Sequence, residues 1–334
     1  MPERLVEIIV QEAEAARRVL EDSGLPHWSL GASEERTCFR ALVPSERVDE
    51  LLDPLEPLLA REPEARIVVL ATEAVLPRPA PAEPEPDPEA PAEPVPERIS
   101  RSELYEDVGE LARATPVFLV TTVLATIVAA VGVVSESPAV VIGAMVIAPL
   151  LGPNMALVLG TTLGDRDLIG RALRTNAVGM GVAVLTALLA GLVWRLDPAA
   201  NEVASRTTVT VDEIVLALAT GVAGALAITT GIAGSLVGVM VAVALLPPLV
   251  IASMLLVQGH HHEALGAFLL VATNVVCVNL AGVVTFRLRG IRPRTWWEAS
   301  RARRATRIAT AIWAGLLLLV VALVALSSVT LDLG

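Results

Sequence analysis

After Thr115 the chain is written in apolar runs of bilayer length, and one of them works against its own helix. The stretch VVIGAMVIAPLLGPNMALVLG, Val140 to Gly160, is apolar enough to cross a membrane, yet it carries Pro149, Gly152, Pro153 and Asn154 at its centre. Proline lacks an N–H and crowds the carbonyl four residues earlier, so a helix broken here leaves polar backbone where no water reaches it. Such a break persists only where protein, trapped water or a bound solute satisfies those groups.

Seven such runs follow one another, at 116–134, 138–163, 175–194, 211–230, 232–257, 264–286 and 308–328. Most are close to the roughly 20 residues that cross a bilayer, so a polytopic α-helical membrane protein with a soluble front end is expected. The net charge of -11 misleads as a whole-chain figure, because acids gather before residue 110 while arginines fill one late loop. Charge here reports topology, and no nucleic-acid partner is expected.

With the N-terminus inside, the inner loops hold Arg166, Arg171 and Arg174, then Arg287, Arg289, Arg292, Arg294, Arg301, Arg303, Arg304 and Arg307. The outer loops hold only Arg195 and Arg206. That asymmetry puts the N-terminus in the cytoplasm and the C-terminus outside, across a bacterial inner (cell) membrane. Re-entrant hairpins in the second and fifth runs would barely change the arginine balance. Length separates the two arrangements better: 26 residues make one broken span, but give each arm of a hairpin only about three turns at ~1.5 Å per residue. Seven crossings are therefore expected, with Trp194, Trp296 and Trp297 as interfacial anchors.

Residues 1–76 read as a cytosolic domain in the order β-α-β-β-α-β. Strands are expected in RLVEIIV, HWSLGAS, RTCFRALV and ARIVVLATEAVL, and helices in AEAARRVLEDSG and in ERVDELLDPLEPLLAR, the latter interrupted or re-entered at Pro54 and Pro57. This is the ferredoxin-like split βαβ arrangement, an α+β fold with two helices on one face of an antiparallel sheet. Regulatory domains of this shape bind amino acids or nucleotides, so a small-molecule regulator is one candidate partner; a module for folding and homo-oligomer assembly is the other. Residues 77–97 alternate Pro with Ala and acids and form an extended spacer, and 98–115 regain helical spacing as an interfacial amphipathic helix.

The membrane part contains an internal likeness. IGAMVIAPLLGP, Ile142 to Pro153, lies on VGVMVAVALLPP, Val237 to Pro248, with Gly143, Met145, Val146, Leu150, Leu151 and Pro153 matched by identical residues. After a three-residue loop difference, Asn176 falls opposite Asn274. Two three-span units result, 116–194 and 211–286, followed by the Arg-rich cytosolic loop 287–307 and an added span. An odd number of crossings inverts the second unit, and inverted repeats with broken helices are the organisation of many secondary transporters.

The run from Ser135 to Leu173, with Ser137-Pro138-Ala139, Ile142-Gly143-Ala144-Met145, Ala148-Pro149-Leu150, Gly152-Pro153 and the Gly164-Asp165 turn, resembles the bacterial and archaeal "uncharacterised hydrophobic protein" family. That family is catalogued as domain of unknown function 389. The resemblance extends in arrangement over about residues 116 to 286 and implies a membrane architecture behind a soluble N-terminal domain. It implies no activity and no site residue.

The residues themselves supply a candidate pathway. Pro149, Gly152, Pro153 and Asn154 would meet Pro247 and Pro248 near the midplane, lined by Asn176, Asn274, Asn279, Thr229, Thr230 and Ser253. Helix kinking and hydrogen bonding between helices are the alternative roles for each of these taken singly. No Asp, Glu, Arg or His lies deep within a span, so the solute is expected to be neutral, or an ion held by backbone dipoles and amides. Glu136, the nearest acid, sits in an outer turn. His260, His261 and His262 are adjacent on a turn and point in different directions, so no metal is expected, nor any cofactor. The two cysteines, Cys38 and Cys277, read as small buried residues.

The chain is thus expected to be a transporter or channel-like permease for a small solute or ion, regulated or assembled by its cytosolic domain. A membrane-embedded ligand sensor or signalling scaffold is the other class. No HExxH, nucleophile elbow or paired membrane aspartate suggests an enzyme.

Overall fold

The structure, a computed structural model, describes residues 3–32, 36–72, 75, 101–230, 234–291, 311, 313 and 315. The spacer expected at 77–97, the Arg-rich loop beyond residue 291 and, but for three positions, the span expected at 308–328 lie outside the described residues. The chain divides into two compact units, Met1–Leu104 and Tyr105–Gly334.

The first unit folds as β1 (Glu3–Val10), α1 (Ala13–Asp22), β2 (His27–Ala32), β3 (Thr37–Pro44), a 3-10 turn at Ser45–Arg47, α2 (Val48–Arg61) and β4 (Arg66–Ala71). Its sheet runs β2-β3-β1-β4, with every pairing antiparallel. Alternation along the strands decides the layers. Val6, Ile8 and Val10 of β1 and Phe39, Ala41 and Val43 of β3 are buried with Ala16 and Leu20 of α1 and Leu51, Leu55 and Leu58 of α2. Each such large apolar side chain contributes about 1.5–3 kcal/mol when fully buried.

That stripe explains why α2 runs unbroken through Pro54 and Pro57, where an interruption was expected. Both prolines lie among exposed residues while Leu51, Leu55 and Leu58 face the sheet, so the carbonyls they deprive, on Glu50 and Asp53, belong to the wet side of the helix. The start of α1 is closed from a distance: the backbone N–H groups of Gln11 and Glu12 donate to the Glu62 carboxylate at 2.8 and 2.7 Å. On the face of the sheet away from the helices, Glu7 accepts from Arg40 at 3.1 Å and from the Cys38 thiol at 3.3 Å.

After α3 (Arg101–Leu111), the second unit contains α4 (Pro116–Val134), α5 (Pro138–Ile147), α6 (Leu151–Leu163), α7 (Arg166–Val193), α8 (Asn201–Ala204), α9 (Val211–Thr230), α10 (Gly234–Val257) and α11 (His261–Leu288). Its surface is inside-out for a water-soluble protein. Val117, Val120, Leu124, Ile127 and Val131 form an exposed stripe on α4, while Thr122 and Thr126 are buried. Apolar stripes facing outward and hydroxyls facing inward are what a lipid surround demands.

Four helices, α4, α7, α9 and α11, are long and apolar enough to cross a membrane, and α5 with α6 makes a fifth if that bent pair is one span. Among the described residues this gives four to five spans, with the Leu245–Val257 part of α10 a shorter apolar helix, where seven crossings were expected.

One of the two expected breaks is present and the other is not. Between α5 and α6 the chain bends by 56°. Ala148 ends α5 in an extended conformation, φ -69° and ψ 122°, as the residue before a proline prefers. Its N–H closes onto the Ala144 carbonyl at 3.1 Å. α10, by contrast, is one continuous helix through Pro247 and Pro248. The aligned segments show why: Pro149, the residue that forces Ala148 out of the helix, stands opposite Ala244. Pro247 and Pro248 correspond only to Gly152 and Pro153 in the first turn of α6, where a missing N–H costs little.

Candidate functional site

The break lies beside the first turn of α4 and the middle of α7. A Cβ placed on Gly179 of α7 would stand 2.8 Å from Phe118 Cζ and 3.4 Å from Leu150 Cδ2. Phe118 is the third residue of α4, and the remainder, Leu119–Val134, extends about 24 Å further at ~1.5 Å per residue. Leu150 therefore sits level with the first turn of α4 and with the centre of α7, Arg166–Val193.

From this break α6 enters the interior, with every residue from Leu151 to Thr162 buried. A helix buried on all sides must satisfy its polar side chains locally, and Asn154 does so by donating through Nδ2 to the Leu150 carbonyl at 2.8 Å. Asn279 of α11 does the same one helix away, donating to Val275 O at 2.8 Å. A carbonyl can only accept, so each bond fixes its amide with the nitrogen towards its own helix. The side-chain oxygens are left between helices. Asn279 Nδ2 also approaches Asn154 Oδ1 at 3.4 Å, while Asn279 Oδ1 is buried with no hydrogen-bond partner. Asn154 is 3% exposed and Asn279 0%. A buried acceptor left unsatisfied costs about 1–3 kcal/mol, so this pair is either a cost borne for packing or a place prepared for a donor or cation.

The two helices are pressed together beside the pair. A Cβ on Gly282, three residues past Asn279, would fall 2.9 Å from both methyl groups of Val158 on α6. Any larger residue here would force Val158 to shift.

The remaining pathway candidates divide clearly. Thr229 donates to Leu226 O at 2.8 Å, Thr230 to Leu226 O and Ala227 O at 3.1 Å, and Ser253 to Leu249 O at 2.7 Å, so each hydroxyl is spent on its own helix. Pro247 and Pro248 are buried within α10. Asn274 is buried on α11, and half-buried Asn176 on α7 keeps its Nδ2 away from solvent without a hydrogen-bond partner. The pairing seen is Asn154 with Asn279, not the aligned Asn176 with Asn274. Pro149 is half-buried at the break, with Gly152 and Pro153 buried just after it. Glu136 holds the turn between α4 and α5 with φ 48°, uncommon for any residue but glycine.

Two braces were not anticipated. Tyr105 donates to the Asp165 carboxylate, whose other oxygen caps α7 through the N–H groups of Asp167 and Leu168 at 2.9 and 3.0 Å. Burial alone would raise the Asp165 pKa, but the Tyr105 hydroxyl and the two backbone donors outweigh it and hold the carboxyl below its usual range. The same bond to Asp165 pushes the Tyr105 hydroxyl upward. The signal available in sequence was that Tyr105 is the chain's single tyrosine. At the far end of the bundle, Gln258 accepts from Leu196 N at 3.0 Å and donates to Gly191 O and Trp194 O at 2.9 and 2.8 Å.

The first unit has an open cavity of about 300 Å³ lined by Val19, Asp22, Ser23, Leu25, Arg47, Glu50, Leu51 and Pro54. Its one cation is already engaged, since Arg47 pairs with Glu50 at 3.1 Å and donates to Ser23 O at 3.1 Å. The asparagine pair is the stronger candidate because its oxygens are buried and underused.

Residues 145–280 match a family model described as "Domain of unknown function (DUF389)", a range that runs from the end of α5 through the break and closes just past Asn279. An uncharacterised protein of Methanocaldococcus jannaschii is 33% identical over 229 residues, which is 69% of this chain and 72% of that relative. No solved structure matches. An identity of that level over more than two thirds of both chains, together with the family match across the break and the asparagine pair, means that this chain belongs to the DUF389 family.

Proposed function

We propose that the chain is a permease of the cell membrane for a small solute or ion, with its pathway passing the α5–α6 break and the pair Asn154–Asn279. The observation that carries this reading is an underused pair of buried amide oxygens beside a bent, fully buried half-helix, in a unit whose outer face is apolar. Anchoring alone requires none of these.

A finer reading makes the unit two inverted three-helix repeats, α4 to α7 and α9 to α11, with the N-terminus cytoplasmic. The packing supports it: α6 lies against α11 and α10 lies against α7, as an exchange of the two halves about a pseudo-two-fold axis requires. Such a protein needs only one broken helix if the other half supplies a fixed wall. The first unit would regulate transport or assemble a homo-oligomer.

The test is reconstitution of the full chain in proteoliposomes, with stopped-flow light scattering for neutral solutes and isotope uptake for monovalent ions. Flux above empty liposomes, reduced at least tenfold by Asn154→Leu, supports the reading. Absence of flux across the panel, together with failure of water-soluble thiol reagents to reach cysteines placed at 150 and 279, would sink it.

A further inference from the structure

We infer that the side-chain oxygens of Asn154 and Asn279 form part of a binding site for a desolvated monovalent cation of the size of Na+. The inference rests on the permease reading for its role, as a coupling or transported ion, but the binding itself is independent of transport.

The argument is one of donors and acceptors. Asn154 and Asn279 each direct an Nδ2 group to a carbonyl of their own helix, at 2.8 Å in both cases. What remains between the helices is oxygen: Asn279 Oδ1 has no partner, and Asn154 Oδ1 has only the 3.4 Å approach of Asn279 Nδ2. Hydrogen-bond donors are scarce, and a cation binds oxygens that lack donors.

The charge follows from the ligand type. Divalent cations are bound mainly through carboxylates, and among the described residues no three His, Cys, Asp or Glu side chains come together. Neutral amide oxygens suit a single charge. They also fall short of the six or so ligands a hard cation takes, leaving positions for water or for a transported solute.

Helix poles bear on the same point. The α6 N-terminus opposes a cation, but the α5 C-terminus presents its free carbonyls to the same break, so the two ends offset. The close approach of α11 to α6 at Gly282 keeps the two helices that carry the pair together.

The experiment is thermal melting of the purified full chain in detergent at constant ionic strength in NaCl, KCl or choline chloride, with direct binding of radioactive Na+. The expected result is a saturable rise in the wild-type midpoint with Na+ that choline does not give. Asn279→Leu should abolish it, and Asn279→Asp should bind Na+ about tenfold more tightly, since affinity follows ligand charge. Equal midpoints in all three salts, or an unchanged Na+ response in both variants, overturn the inference. If Asn279→Leu fails to fold, the wild-type salt series and Asn279→Asp decide. Na+ binding without any flux sinks the permease reading alone, and flux without Na+ stabilisation sinks this inference alone.

Discussion

Tyr105 of α3 donates its hydroxyl to Asp165, the residue that caps α7, and so fastens α3 to the turn between α6 and α7. Two further contacts continue the seam. Thr175 Oγ1 donates to Ala112 O at 2.6 Å, and a Cβ on Gly152 would stand 2.9 Å from Leu111 Cβ. Residues 105–112 are docked against the α6–α7 hairpin, with Leu111 over the first turn beyond the break.

Tyr105→Phe should therefore loosen α3 at a cost of about 1 kcal/mol, below the ~1.5–3 kcal/mol of a hydrogen bond to a charged group, because both partners are partly in water. The effect has a pH window. Asp165 is depressed in the folded state, so its contribution is present above the unfolded value of ~3.9 and is lost as pH falls through the lower folded value. Tyr105 is raised, so its contribution is present below ~10 and is lost as pH rises through the higher folded value. The midpoint difference between wild type and Tyr105→Phe should be constant from about pH 5 to 9 and shrink outside that range. A difference that vanishes at neutral pH would show the bond to be idle.

Gln258 carries three hydrogen bonds between the end of α10 and the last turn of α7 with the segment that follows it. Gln258→Leu removes all of them and leaves the Leu196 N–H without its acceptor, for an expected loss of about 2–3 kcal/mol. Limited proteolysis should cut within residues 195–210 sooner in the variant. Equal cleavage rates would mean that water replaces the amide without cost.

Gly282 makes a prediction that a single variant cannot. Gly282→Ala places a methyl group against Val158 and should cost about 1–3 kcal/mol by overpacking. Val158→Ala alone opens a small void, but combined with Gly282→Ala it restores the fit, so the double variant should be more stable than the sum of the two losses. Strict additivity in thermal melts would argue that α6 and α11 are not in contact there.

How far the sequence foretold this structure depends on the range of the interaction. The βαββαβ order, the ends of α4 and the break at Pro149 are set by local chemistry, and each lies where its residues predict. Pro247 and Pro248 do not break their helix, because a proline by itself is not what ends one here. What ends α5 is Ala148 adopting the extended backbone that Pro149 demands, and α10 has Ala244 in the matching position. The asparagines were picked out as polar residues in apolar runs, but which would meet depended on helix rotation. That is set by contacts such as Val158 on Gly282, 124 residues apart in sequence. Tyr105 and Gln258 act through similarly distant partners and left no periodic mark.

Glu62 closes the helix α1 from outside, and this tests the first unit on its own terms. Its two carboxylate oxygens accept from Gln11 N and Glu12 N at 2.8 and 2.7 Å, satisfying donors at the positive end of a helix that has no side-chain cap of its own. A capping carboxylate removed to alanine typically costs about 1 kcal/mol, with up to 2 where the cap is the main one. Glu62→Ala should thus speed amide exchange at residues 11–14 more than at Leu20, and Glu62→Gln should recover part of the protection through its one remaining oxygen. If exchange rises equally along all of α1, the loss is global, and Glu62 holds the chain after α2 in place instead of capping α1.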